Sequence, residues 1–184
     1  MHKELKYLLL TNSFFLFANN LFAPLFALFI QKIDSAVFHV GGIWSTYIFG
    51  VGILTFILSR YENHIEYADY FLIAGFFFRM IGWIAYYFST QLWHLYLIQI
   101  IMAIGEALGS PSYNVIYSRF LTKGKYGSDW GLNTSITSFV IGFASLFGGL
   151  IVQYFGFDIL FIIMIVSSII SIIIGFYYCK ILDK

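Results

Sequence analysis

Residues 92–117 read LWHLYLIQIIMAIGEALGSPSYNVIY. At 1.5 Å per residue, a helix over this stretch is about 39 Å long, more than the roughly 30 Å of a bilayer's hydrocarbon core. Apolar residues run on without period-two alternation, which favours a helix over a barrel strand. Five comparable runs flank it, at residues 5–30, 37–58, 70–88, 130–155 and 159–178. Six such helices in 184 residues leave no soluble mass in which to bury them. The expected fold class is an all-α membrane protein, one domain over residues 1–184 with six transmembrane helices.

Composition agrees. Hydrophobic residues make up 60% of the chain and charged residues 10%, against about 25% charged in soluble domains. Lys3, Lys6, Arg60, Arg119, Lys123, Lys125, Lys180 and Lys184 fall at one set of span ends, and only Lys32 at the other. By the positive-inside rule both termini are cytoplasmic, in a multi-pass protein of the cell membrane. The first apolar run is too long for the core of a signal peptide. Cys179 stands alone, so no internal disulfide or redox pair exists; a packed or lipid-facing thiol is expected there. Richness in Ile, Phe, Tyr and Asn points to an AT-rich, prokaryotic genome.

The outer connections near residues 33–38, 89–91 and 156–158 are short, so sequence neighbours are expected to pair as antiparallel hairpins. Pro24 and Pro111 each lie about 19 residues into spans one and four. The matching offsets fit a 3+3 inverted repeat; chance is the alternative. Span six is apolar except for Ser167, Ser168, Ser171 and Gly175, and is expected to face lipid.

Polar residues inside the spans carry the functional reading. Gln99, Glu106, Ser110, Asn114 and Tyr117 recur along one stripe of span four, with Tyr113 beside it. Ala103 and Ala107, flanked by Gly105 and Gly109, form a second face suited to close helix packing. A charge near the bilayer centre costs at least about 2.5–3.5 kcal/mol, so Glu106 requires a partner or water. Arg79 in span three lies at similar depth. The pair reads either as a structural lock or as a site for a proton, ion or solute. Asn12, Asn19 and Asn20 precede Pro24, which should kink span one; their amides read as interhelical bonds or as a cavity wall. Span five adds Asn133, Thr134 and Thr137. Trp83 and Tyr86 lie one and two turns beyond Arg79, and serve packing or face a cavity. No HExxH, CxxC or Walker loop occurs. The four histidines scatter over loops and span ends, and nothing resembles a nucleic-acid module. An enzyme, a metal site and a cofactor are therefore not expected.

Gly105, Ala107 and Pro111, the basic loop from Arg119 to Lys125, Gly131, and Leu146-Phe147-Gly148-Gly149 followed by Gly156-Phe157 and Phe161 resemble helices four to six of a major facilitator superfamily half. Asn20-Leu21-Phe22-Ala23-Pro24 resembles its first helix. The signature loop after helix two is replaced by Ser59-Arg60-Tyr61-Glu62 with Glu66 and Asp69. Gln99 stands where helix four often has arginine, and Ala144-Ser145 where the antiporter motif has Gly-Pro. The resemblance implies a secondary transporter of a small solute. Because such transporters have two six-helix halves of one orientation, it implies a homodimer with alternating access. Asn19, Asn20, Gln99, Tyr113 and Asn114 would bind solute, and Glu106, tuned by Arg79, would take the coupling proton or cation. Membrane lipids are the other expected partners. The competing reading is a non-transporting scaffold or accessory half that pairs with another membrane protein.

Overall fold

With so few polar side chains, the backbone is the main polar group the chain must satisfy, and helices satisfy it internally. In the computed structural model, which describes residues 3–59 and 67–182, the helices are α1 (Lys3–Phe22), α2 (Phe26–Ile33), α3 (Val37–Leu58), α4 (Ala68–Tyr87), α5 (Leu92–Ser118) and α6 (Tyr126–Leu182). No strand occurs among the described residues. Arg60, Glu62, Glu66, Lys184 and the histidines at positions 2 and 64, all weighed above, lie outside them. Among the described residues, five helical segments are long and apolar enough to cross a membrane: Glu4–Ile33, α3, α4, α5 and Tyr126–Cys179.

The first of these is broken where Pro24 was expected to break it. A 3-10 turn, Ala23–Leu25, separates α1 from α2, because proline cannot donate to the preceding carbonyl. Pro111 lies inside α5 without ending it.

α6 spans 57 residues, about 86 Å if straight. It is not straight. Gly156 adopts φ 80° and ψ −178°, a conformation essentially reserved for glycine. Near the start of α6, Trp130 lies 4.9 Å, centroid to centroid, from the Tyr117 ring. Near its end, Tyr178 joins the same apolar cluster as Tyr117, Leu8 and Ala68. The helix therefore doubles back at Gly156. The short connection expected at residues 156–158 is made by a single glycine: Phe157 is buried and only Asp158 faces outward.

Two apolar clusters hold the helices. One gathers Phe22, Phe29, Trp83, Tyr86, Phe157 and Phe161, with the Tyr86 and Phe161 rings stacked 5.7 Å apart. The other gathers Phe15, Leu72, Phe76, Tyr113, Ile116 and Tyr178. Glycine brings the backbones close. A Cβ on Gly75 would stand 2.7 Å from Gly109 Cα and 2.8 Å from Gly105 O, and one on Gly148 would collide with the Leu21 carbonyl.

Two expectations are corrected. Span six does not simply face lipid: Ser167, Ser168 and Ser171 are buried. Thr11 Oγ1 donates to Ser171 O at 2.5 Å, and Ser171 Oγ donates to Thr11 O at 2.7 Å. Small hydroxyl side chains let the helices approach and then bond across the seam; Ile162, Val166, Ile169 and Ile173 form the outward face. Nor do all sequence neighbours pair as hairpins. α4 packs on α5 as expected, but α3 lies against α5, and α1 lies chiefly against α6. α3 buries only Ile43, so most of its surface is left to surroundings outside the chain.

Candidate functional site

Arg79 sits on α4 between Phe76 and Trp83, at the boundary between the two apolar clusters. Glu106 occupies the matching level on α5, between Met102 and Tyr113. Their side chains meet as an ion pair, Arg79 Nη2 to Glu106 Oε2, with side-chain exposures of 6% and 25%. Gly105 makes this possible, since a Cβ there would lie 2.6 Å from Arg79 Cγ. The guanidinium carbon lies 4.6 Å from the centroid of the Phe15 ring, a cation–π contact that offsets part of its desolvation. From α3, Tyr47 OH donates to Glu106 Oε2 at 3.0 Å. Three helices thus converge on one carboxylate.

A cavity of about 410 Å³ opens beside this pair, between α1, α4, α5 and the first leg of α6. Asn12, Asn19 and Asn20 line one wall, Arg79 a second, Glu106, Ser110 and Tyr113 a third, and Thr137 the fourth. Polar groups that lipid would penalise face one another across space large enough for a small solute. Asn20 Nδ2 donates within its own helix to Leu16 O at 2.9 Å. Tyr113 OH donates to Asn133 Oδ1 at 2.6 Å, which ties α5 to α6 at the cavity edge.

Not every residue of the expected stripe reaches this cavity. Gln99 is buried in a smaller one, about 70 Å³, where it donates through Nε2 to Tyr86 OH at 3.1 Å. Asn114 is exposed and lines neither cavity. Helical geometry explains this: eight residues on from Glu106, at about 100° each, Asn114 has turned about 80° away, whereas Tyr113 has turned only about 20°. Tyr117 OH donates instead to the Asp129 carbonyl at 2.6 Å. Tyr47 and Phe15 were not singled out in the sequence. Both are aromatic residues in aromatic-rich spans, and no spacing marks them as neighbours of the ion pair.

The described residues form a helical, polytopic membrane protein with an ion pair beside a polar chamber. Comparison with protein families sharpens this. The model described as Major Facilitator Superfamily matches residues 8–182. The chain belongs to that superfamily, whose members are membrane transporters. No curated protein matches it. Within the described residues, no group of three or more His, Cys, Asp and Glu side chains is placed to hold a metal ion.

Proposed function

We propose that this chain is a secondary active transporter of a small solute that works as a homodimer by alternating access. The observation that carries the reading is the cavity of about 410 Å³ whose wall contains both Arg79 and Glu106. A carboxylate held between an arginine and a tyrosine, yet facing a solute-sized chamber, is placed to exchange a proton or cation when the chamber fills. Asn19, Asn20 and Tyr113 supply hydrogen bonds to the solute there. Gln99 acts from the adjoining smaller cavity, and Asn114 is left without a role in binding.

The reading includes six crossings. The glycine pivot at position 156 divides α6 into two legs, giving the even count that places both termini on one side. Contacts of α1 and α4 with α6, and of α3 with α5, interleave the first three spans with the last three, as a 3+3 inverted repeat would. The charge bias supports cytoplasmic termini, and the richness in Ile, Phe, Tyr and Asn supports a prokaryotic source. A second copy, related by an axis along the membrane normal, would complete the transporter.

The test is proton movement in proteoliposomes containing a trapped pH dye. A panel of sugars, amino acids and small heteroaromatics is added under an imposed gradient. The wild-type protein is expected to move protons with a subset of these solutes. Glu106→Gln, checked for monodisperse folding, is expected to lose the coupled movement. Unaltered coupled flux in that variant would remove Glu106 from the mechanism.

A further inference from the structure

Among the described residues that wall the larger chamber, Arg79 and Glu106 are the only charged side chains. α1 and the first leg of α6 bring asparagine, threonine and apolar side chains to it, and no titratable group. Besides Arg79 from α4, the titratable groups around Glu106 are two phenols. Tyr47 on α3 bonds to it, and Tyr113 stands further along α5 on the same wall. One ion pair therefore sets the charge of the chamber. With Glu106 ionised, the pair sums to zero. With Glu106 protonated, the wall carries one uncompensated positive charge in surroundings that solvate it poorly.

The two partners are not held alike. Arg79 is the fixed one, with its side chain 6% exposed. Its Cγ lies so close to Gly105 that a Cβ there would not fit, and its guanidinium rests on the Phe15 ring. Glu106 is 25% exposed and has a second anchor on another helix, the Tyr47 hydroxyl. A neutral Glu106 keeps Tyr47 as a hydrogen-bond donor while it gives up Arg79. The guanidinium then stays in the chamber wall without its counter-charge.

We propose that the solute is a small organic monoanion, a monocarboxylate, which takes over Arg79 from Glu106 when Glu106 is protonated. This deepens the transporter reading and rests on its assignment of the coupling proton to Glu106. Only a monoanion keeps the chamber neutral both when empty with Glu106 ionised and when loaded with Glu106 protonated. A neutral solute leaves Arg79 uncompensated in the loaded state, and a cation adds to that charge. A phosphate ester carries about two negative charges near pH 7 and overshoots. A carboxylate also matches the guanidinium fork, so it replaces the Glu106 side chain group for group. Leu72 and Phe76 in the same wall offer its body an apolar surface. The proton binds a Glu106 carboxylate oxygen as the anion enters and leaves as the anion leaves. Each cycle carries one proton with one anion and moves no net charge. By linkage, protonation strengthens anion binding by the factor by which the anion strengthens proton binding.

The test is thermal unfolding and binding on the purified full chain in detergent. Lactate and benzoate are the probes, and lactamide and benzamide are their neutral counterparts, with sodium chloride matching the ionic strength. Both acids stay ionised between about pH 5.5 and 8. Glu106→Gln fixes the neutral form of the side chain and leaves Arg79 without its partner. In that variant the carboxylates are expected to raise the unfolding temperature. They should bind about 10–100-fold more tightly than the amides, the range of a charge-assisted hydrogen bond, at every pH in that window. In the wild type the preference should grow as pH falls, by up to about tenfold per unit, and anion binding in weak buffer should draw protons from solution. If Glu106→Gln does not fold, the wild-type measurements decide alone. No preference for the acids in a folded Glu106→Gln protein, wild-type anion binding that ignores pH, or proton release on binding would each overturn the proposal. Proteoliposomes separate the two readings. Proton-coupled flux of neutral or cationic solutes alone would sink this inference and leave the transporter reading standing. Anion binding linked to pH without flux of any solute would do the reverse.

Discussion

Arg79 and Glu106 hold opposite charges where the bilayer offers no solvation, so each is tolerated because of the other. Removing one partner of a buried pair leaves an uncompensated charge and costs about 3–5 kcal/mol, whereas replacing both by apolar residues is often neutral. Glu106→Gln should therefore lower the thermal unfolding temperature measurably, toward the low end of that range because the carboxylate borders the cavity. The double replacement Arg79→Met with Glu106→Met should recover most of that stability while proton-coupled flux stays lost. Recovery of both would make the pair merely structural. Tyr47→Phe removes one donor from the carboxylate and should cost about 1 kcal/mol, and it should alter the pH dependence of flux without unfolding the chain. A charge in an apolar run announces itself, so both members of the ion pair were legible in the sequence. Tyr47 was not, because a tyrosine at position 47 of an aromatic-rich span looks like any other until the fold brings α3 against α5.

Helix packing here depends on where a side chain would intrude, and two adjacent glycines on α6 state the contrast. A Cβ on Gly148 would collide with the Leu21 backbone, and one on Gly149 meets nothing within 4 Å. Backbone cannot yield as a flexible side chain can, so Gly148→Ala should destabilise by about 1–3 kcal/mol. Gly149→Ala should be neutral or slightly stabilising, by at most about 1 kcal/mol from helix propensity. Parallel thermal melts in one detergent check this, and equal effects would mean that α1 does not lie against α6 at that level. Gly156→Ala tests a different property, since it forces a side chain into a glycine-only backbone region at a cost of about 1–3 kcal/mol. The helices themselves were legible from run length and the Pro24 break from its ring chemistry. A very short connection at residues 156–158 was legible from the break between two apolar runs, but that Gly156 alone would make it was not. Helical hydrogen bonding continues on both sides, and one φ angle does the work. The serines of the last span were misread. Three hydroxyls in a run of isoleucines barely change its hydropathy, yet their position decides which face packs on α1.

At the scale of the whole molecule, the pattern of exposure argues for a covered face. α3 turns Trp44, Ile48, Phe49, Ile53 and Phe56 outward, and the first leg of α6 turns Phe139, Phe143, Leu146 and Phe147 outward. Lipid alone would satisfy those residues. It would not satisfy Asn114, Thr134 and Ser138, which are exposed and need water or a protein neighbour. In the proposed homodimer the contact would be isologous, and a pairing of α3 of one copy with α6 of the other would occur twice. Cysteines introduced one at a time at Ser45, Gly52, Ser138 and Gly142, with Cys179→Ser to silence the native thiol, test this in membranes. A short bifunctional thiol reagent should produce a dimer band from α3–α6 pairs of such variants expressed together. Outward positions on the last leg, such as Ile169→Cys, should remain monomeric. Dimers captured equally from every position would indicate random collision. A single larger adduct with a different protein would show instead that another membrane partner completes the chamber. Solute-dependent protection of the α3–α6 crosslink, absent from a Glu106→Gln background, would tie the closure of that face to the carboxylate at the centre of the site.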